Sequence, residues 1–129
     1  MNMNILILGG GGREHTFAWK LSQSPLCKQL FVAPGNSGTA TIATNLAVSV
    51  MDFEGIKKQV LAHAIDMVVV GPEAPLVNGI YDFFLHDPDL KQVAVIGPQK
   101  AAAQLEGSKE FAKEFFDLQR QVRMIVQPA

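Results

Sequence analysis

The chain has 129 residues, the size of one domain, and with 48% apolar residues it can bury a core without disulfide or metal staples. A net charge of −1 gives no basic footprint for nucleic acid or an anionic membrane, so any phosphate must be held locally. The single cysteine, Cys27, excludes an internal disulfide framework.

The first apolar run, residues 4–8, is followed by Gly9-Gly10-Gly11-Gly12. It is too short for the apolar region of a signal peptide, and no Lys or Arg precedes it. No later stretch approaches the ~20 apolar residues of a membrane helix, so a soluble cytoplasmic protein is expected. Residues 14–23 carry Phe17, Ala18 and Leu21 at helical spacing. A second apolar run, residues 29–33, enters Pro34-Gly35-Asn36-Ser37-Gly38. A weaker run, residues 46–50, predicts a further edge strand. Residues 52–64 predict a helix with Asp52 as N-cap, carrying Phe53, Ile56, Val60, Leu61 and Ala64. The run at 66–70 enters Gly71-Pro72-Glu73-Ala74-Pro75, and residues 77–85 predict a helix carrying Ile80, Tyr81 and Phe84. The run at 92–96 enters Gly97-Pro98, and residues 101–116 predict a helix broken near Gly107.

Short, continuous runs rich in Val and Ile read as parallel strands buried on both faces. Their alternation with helices predicts a Rossmann-like, doubly wound parallel sheet of four to five strands with helices on both faces. In such a sheet every strand exit lies on one edge. Four Gly/Pro-rich loops, far apart in the chain, therefore converge on one composite site.

The glycine loop between a strand and a helix suits a phosphate. Glycines let a ligand approach the backbone, and the helix start offers unpaired amides and the positive end of its dipole. Arg13 can add a charge-assisted contact. A dinucleotide fingerprint fails, because either register puts Glu14 or His15 at the third glycine and no acidic residue ends the second run. A P-loop fails for want of Gly-Lys-Ser/Thr. The competing reading is a tight turn with no ligand, and His15 reads as a structural residue as readily as a chemical one. Asn36 and Gly38 can hydrogen-bond a polar ligand or simply form a turn. Glu73, held by two prolines, can accept from ribose hydroxyls or an amine, or can favour the next helix start. Lys109 is an exposed lysine or a phosphate contact. No cysteine, histidine or acidic cluster has metal-ligand spacing.

Leu8-Gly9-Gly10-Gly11-Gly12-Arg13-Glu14-His15 with Ala18-Trp19-Lys20 resembles the opening of glycinamide ribonucleotide synthetases. Phe31-Val32-Ala33-Pro34-Gly35-Asn36-Ser37-Gly38-Thr39 and Val70-Gly71-Pro72-Glu73-Ala74-Pro75-Leu76-Val77 are similar to that family's second and third motifs. Gly97-Pro98 with Ala102-Ala103-Gln104-Leu105-Glu106-Gly107-Ser108-Lys109 resembles its fourth. The resemblance spans roughly residues 3–116. It implies a pre-ATP-grasp domain of an ATP-grasp-family, ATP-binding ligase that joins glycine to 5-phosphoribosylamine in purine biosynthesis, using ATP and Mg²⁺.

By that resemblance Gly10, Gly12, Arg13, Glu14, Asn36, Gly38 and Glu73 lie beside the phosphoribosyl substrate, and Lys109 reaches the nucleotide. No residue is expected to be a covalent catalyst or a metal ligand. Residues 1–116 are expected to be the family's amino-terminal domain. Residues 117–129 depart from the family pattern, and its ATP-grasp and carboxyl-terminal domains are not in these 129 residues. A polypeptide of this length is therefore expected to be inactive alone, and its uncovered apolar surface to favour self-association. The alternatives are a non-catalytic phosphate-sugar binding or interaction module, and a truncated product.

Overall fold

A computed structural model describes residues 3–97. Five parallel strands form one sheet: β1 (Met3–Gly9), β2 (Cys27–Pro34), β3 (Thr44–Asn45), β4 (Met67–Val70) and β5 (Ala94–Ile96), in the order β3-β2-β1-β4-β5. The helices are α1 (Gly12–Ser22), α2 (Phe53–Ala62), α3 (Glu73–Val77) and α4 (Ile80–His86), with a 3-10 turn at Thr39–Thr41. The expected Rossmann-like, doubly wound arrangement is what the chain adopts.

Successive strand residues face opposite sides of a sheet, so β1 divides its apolar residues between two cores. Ile5 and Ile7, with Val32 and Val69 of the neighbouring strands, pack against Phe17, Ala18 and Leu21 of α1. Leu6 and Leu8, with Phe31, Val68 and Val70, pack against Ile56 and Val60 of α2 and Ile80 and Phe84 of α4. Both helical pairs are four residues apart, which puts them on one helix face. Because β1 is sandwiched, it has no polar face, and residues 5–8 read as an unbroken apolar run.

Several elements differ from expectation for identifiable reasons. The weak run at 46–50 is not a strand. The edge strand is the dipeptide just before it, Thr44–Asn45, paired with Phe31 and Val32. The Leu46 amide still donates to the Val32 carbonyl at 2.8 Å. Beyond it, Leu46 and Val48 alternate into the α2 core without a ladder. The helix expected over residues 77–85 is two short helices, because Gly79 adopts φ +88° between them. Val77 ends α3 and is 82% exposed, while Tyr81 on α4 is 56% exposed. Leu61, expected on the buried face of α2, is half exposed, since one residue past Val60 turns it ~100° away from the sheet. Asp52 does cap α2, its carboxylate accepting the Gly55 amide at 3.0 Å. The predicted helix over 101–116 lies outside the described residues. Among the described residues no helix is long and apolar enough to cross a membrane.

The strand order positions the site. From β1 the chain moves to β2 on one side, through α1 on one face. From β3 it crosses over α2 on the other face to β4, on the opposite side of β1. The exits of β1 and β4 are therefore neighbours whose helices leave on opposite faces. That divergence opens a crevice at the carboxyl edge, the place where open α/β sheets bind ligands.

Candidate functional site at the carboxyl edge

The parallel register brings the loops together. Gly9 is level with Pro34, and Leu8 is level with Val70. The Gly35 amide donates to the Gly9 carbonyl at 3.0 Å, and the Gly71 amide donates to the Leu8 carbonyl at 3.0 Å. The ladder is thus extended past the strand ends on both sides of β1. The Ala33–Pro34 peptide is cis.

The four glycines differ in what surrounds them. Gly9 takes φ +133°, where an L side chain is strained. A Cβ on Gly10 would lie 2.8 Å from the Gly35 carbonyl oxygen, so this loop and the β2 exit are in backbone contact. Gly11 is the N-cap of α1, and its amide donates to Glu14 Oε1 at 3.1 Å. Gly12 faces open space: nothing lies within 4 Å of where its Cβ would be.

Arg13 and Glu14 do different work. Arg13 is exposed, and its guanidinium donates through Nη1 to the Gly71 carbonyl at 3.0 Å. It bridges the crevice from the start of α1 to the exit of β4. A guanidinium carries five N–H donors, so others remain for a ligand. Glu14 is only 8% exposed. Its carboxyl group lies beside Gly9 and Gly71, where a Cβ on either glycine would clash with it. Sequence reasoning put Glu14 beside the substrate; in the fold its carboxylate caps the glycine loop from beneath.

Asn36 reaches the same loop from the β2 exit. Its Nδ2 donates to the Gly10 carbonyl at 3.0 Å and approaches the Gly11 carbonyl at 3.4 Å. Gly38 packs against the His15 ring, with its would-be Cβ 2.6 Å from His15 Cε1. That contact gives His15 a packing role between α1 and the β2 exit. Glu73 is the exposed first residue of α3, after Pro72 as N-cap. The fold thus gathers Gly10, Gly12, Arg13, Glu14, Asn36 and Gly38 at one edge, with Glu73 at the neighbouring exit. Lys109 lies outside the described residues.

Two polar residues were missed by sequence reasoning. Thr39 is fully buried, and its Oγ1 accepts the Asn36 amide at 2.8 Å and lies 2.7 Å from Asn45 Oδ1. Asn45 Nδ2 donates to the Asn36 carbonyl at 2.8 Å. Thr39 stood inside a quoted motif but read as turn chemistry, and Asn45 stood in none.

A second, open cleft of about 530 Å³ lies along the outer side of β2 and β3, lined by Gln29, Phe31, Thr41, Thr44 and His63 among others. It is away from the carboxyl edge, and no motif residue for a phosphate lines it. Among the described residues no group of three His, Cys, Asp or Glu side chains could hold a metal ion.

Residues 3–106 match the family described as phosphoribosylglycinamide synthetase, N domain. The chain belongs to this family. The phosphoribosylamine–glycine ligase of Pasteurella multocida is 53% identical over 115 residues, covering 88% of this chain and 26% of that protein. The Haemophilus influenzae ligase is 52% identical over the same length and coverage. A crystal structure of the phosphoribosylamine–glycine ligase of Thermotoga maritima aligns with TM-score 0.45 and 28% identity, over 88% of this chain and 24% of that one. The chain thus spans about a quarter of the length of the curated relatives it matches. The family assignment also corrects one expectation. The matched family is the N domain, and the sheet is Rossmann-like, so the ATP-grasp family label does not describe this chain.

Proposed function

We propose that this N domain forms the phosphoribosyl-binding wall of a ligase that joins glycine to 5-phosphoribosylamine with ATP, in purine synthesis. One observation carries the reading. The start of α1 faces open space at Gly12, with Arg13 bridging the adjacent crevice. Helix geometry leaves the first amides of α1 without intrahelical partners. Of these the Gly11 amide is taken by Glu14, which leaves those of Gly12, Arg13 and Glu14 for an anion. Asn36 and Glu14 hold the loop, Gly38 braces it through His15, and Glu73 stands at the exit where a ribose hydroxyl or the amine would come.

The domain's contribution in this role is positioning and electrostatics, with no covalent step. ATP and Mg²⁺ belong to the proposed ligase reaction, Lys109 being the residue of this chain proposed to meet the nucleotide. The described residues offer no converging carboxylates for Mg²⁺, so no step through the metal is assigned to them.

Titration of the 129-residue chain with glycinamide ribonucleotide, followed by amide NMR, tests the reading. Shifts are expected at Gly10 to Glu14, at Asn36 to Gly38 and at Glu73. Their absence, or shifts confined to Thr41, Thr44 and His63 in the second cleft, would overturn it.

A further inference from the structure

We infer that Thr39 and Asn45 are positioning residues for the glycine loop, acting through Asn36. The inference rests on the phosphoribosyl reading of the carboxyl edge and extends it to two residues with no place in that reading.

The polar groups around Asn36 form a closed ring. The Asn36 amide donates to Thr39 Oγ1 at 2.8 Å, and Thr39 Oγ1 lies 2.7 Å from Asn45 Oδ1 and 3.0 Å from the Asn36 carbonyl oxygen. A hydroxyl has one proton to give. Asn45 Nδ2 already donates to the Asn36 carbonyl at 2.8 Å, so the Thr39 proton goes to the nearer Asn45 Oδ1. The ring then runs from the Asn36 amide through Thr39 and Asn45 back to the Asn36 carbonyl. A fourth bond, from the Thr39 amide to Asn36 Oδ1 at 2.9 Å, fixes the Asn36 side chain as well.

With its backbone and Oδ1 held, Asn36 has one free group, its Nδ2, directed at the Gly10 and Gly11 carbonyls. In a trans peptide the carbonyl and the following N–H point in opposite directions. Drawing the Gly11 carbonyl toward Asn36 therefore aims the Gly12 amide away from Asn36, leaving that amide for the proposed phosphate. The Gly11 carbonyl also accepts the His15 amide at 3.1 Å, which sets the same orientation from the helix side. Because Thr39 is fully buried and Asn45 lies in β3, the bracket is anchored to the sheet edge. Hydrogen bonds linked in this way reinforce one another, so loss of one member loosens the whole.

The test uses the 129-residue chain, with ribose 5-phosphate as probe. Thr39→Val keeps the shape and removes the hydroxyl, Thr39→Ser restores it, and Asn45→Asp removes the donor at a partly exposed position. Thr39→Val and Asn45→Asp are expected to weaken ribose 5-phosphate binding about tenfold, equivalent to ~1.4 kcal/mol. They are also expected to speed hydrogen exchange at the Gly11 and Gly35 amides, with Thr39→Ser close to the parent in both. If the parent binds and both variants bind equally well, the positioning role is refuted. If the parent gives no shifts at Gly10 to Arg13, the phosphoribosyl reading fails. Exchange at Gly11 and Gly35 then judges the bracket without a ligand, and unchanged rates in both variants refute it. Should Thr39→Val not fold, Asn45→Asp carries both measurements.

Discussion

Adjacent glycines in the loop after β1 are not interchangeable. Gly10 abuts the Gly35 carbonyl, whereas Gly12 faces open space at negative φ. Gly10→Ala is expected to cost about 1–3 kcal/mol through forced backbone shifts, measured by chemical denaturation. Gly12→Ala is expected to change stability by less than ~0.5 kcal/mol, while weakening ribose 5-phosphate binding by filling the approach. Equal stability loss in both would mean that the Gly10–Gly35 contact is not limiting. Cys27 gives a separate test. Burial pushes its thiol up to about 11, so little thiolate exists at neutral pH. Its reaction with a disulfide reagent should be slower than that of free cysteine, and should quicken on denaturation. The motifs made the glycines, Arg13, Asn36 and Glu73 legible in the sequence. What each does was less so: Glu14 was read as lying beside the substrate, and the fold adds that its carboxylate accepts the Gly11 amide. A Glu three residues after a helix N-cap is half of a capping box, which was the available sign.

At the scale of elements, the period of apolar residues located the principal strands and the first two helices, because these segments bury one stripe or both faces. It failed where local backbone chemistry decides. Asn78-Gly79 interrupts the helical pattern at 77–85, and a left-handed glycine ends α3 where continuous spacing predicted no break. β3 escaped because a two-residue edge strand carries no periodicity. For α2 the Asp52 cap predicts that Asp52→Ala costs ~1 kcal/mol, read from thermal melting. The same helix is tied to the turn after α4 by Lys57, 2.7 Å from Asp87 and 3.5 Å from Asp89. The hydrogen bond from Lys57 holds the Asp87 carboxyl below its usual range, and the hydrogen bond to Asp87 lifts the Lys57 ammonium above its own. A carboxyl group with a lowered folded pKa adds stability above the unfolded pKa and loses it as pH falls through the folded one. An ammonium with a raised folded pKa adds stability below the unfolded pKa and loses it as pH rises through the folded one. Lys57→Met is therefore expected to reduce the acid dependence of the melting temperature between those two carboxyl pKa values. An unchanged acid limb would show the pair to be thermodynamically silent, as many exposed ion pairs are.

For the whole molecule, strand order was the least legible property. Four exits on one edge followed from the βα alternation, but which exits are neighbours did not, because β4 beside β1 is a long-range pairing. That pairing creates the crevice and lets Arg13 reach Gly71. The two-sided core is expected to let the domain fold and bind. A polypeptide of these 129 residues is nonetheless expected to release no ADP in the presence of ATP, Mg²⁺, glycine and 5-phosphoribosylamine. Substrate-dependent release from the purified chain would refute this.

The strand lengths within the sheet carry a further consequence. Among the described residues the long strands, β1 and β2, are interior, while the outermost are β3 with two residues and β5 with three. An edge strand is a template on which another chain can polymerise, and the shorter it is, the fewer unpaired amides it offers. Where β2 outruns β3, exposed Lys28 and Gln29 occupy the rim, a charge and an amide where an apolar pair would invite stacking. Among the described residues the two outermost strands thus offer few unpaired amides of their own to a neighbour, and a charge guards the part of β2 that they leave uncovered.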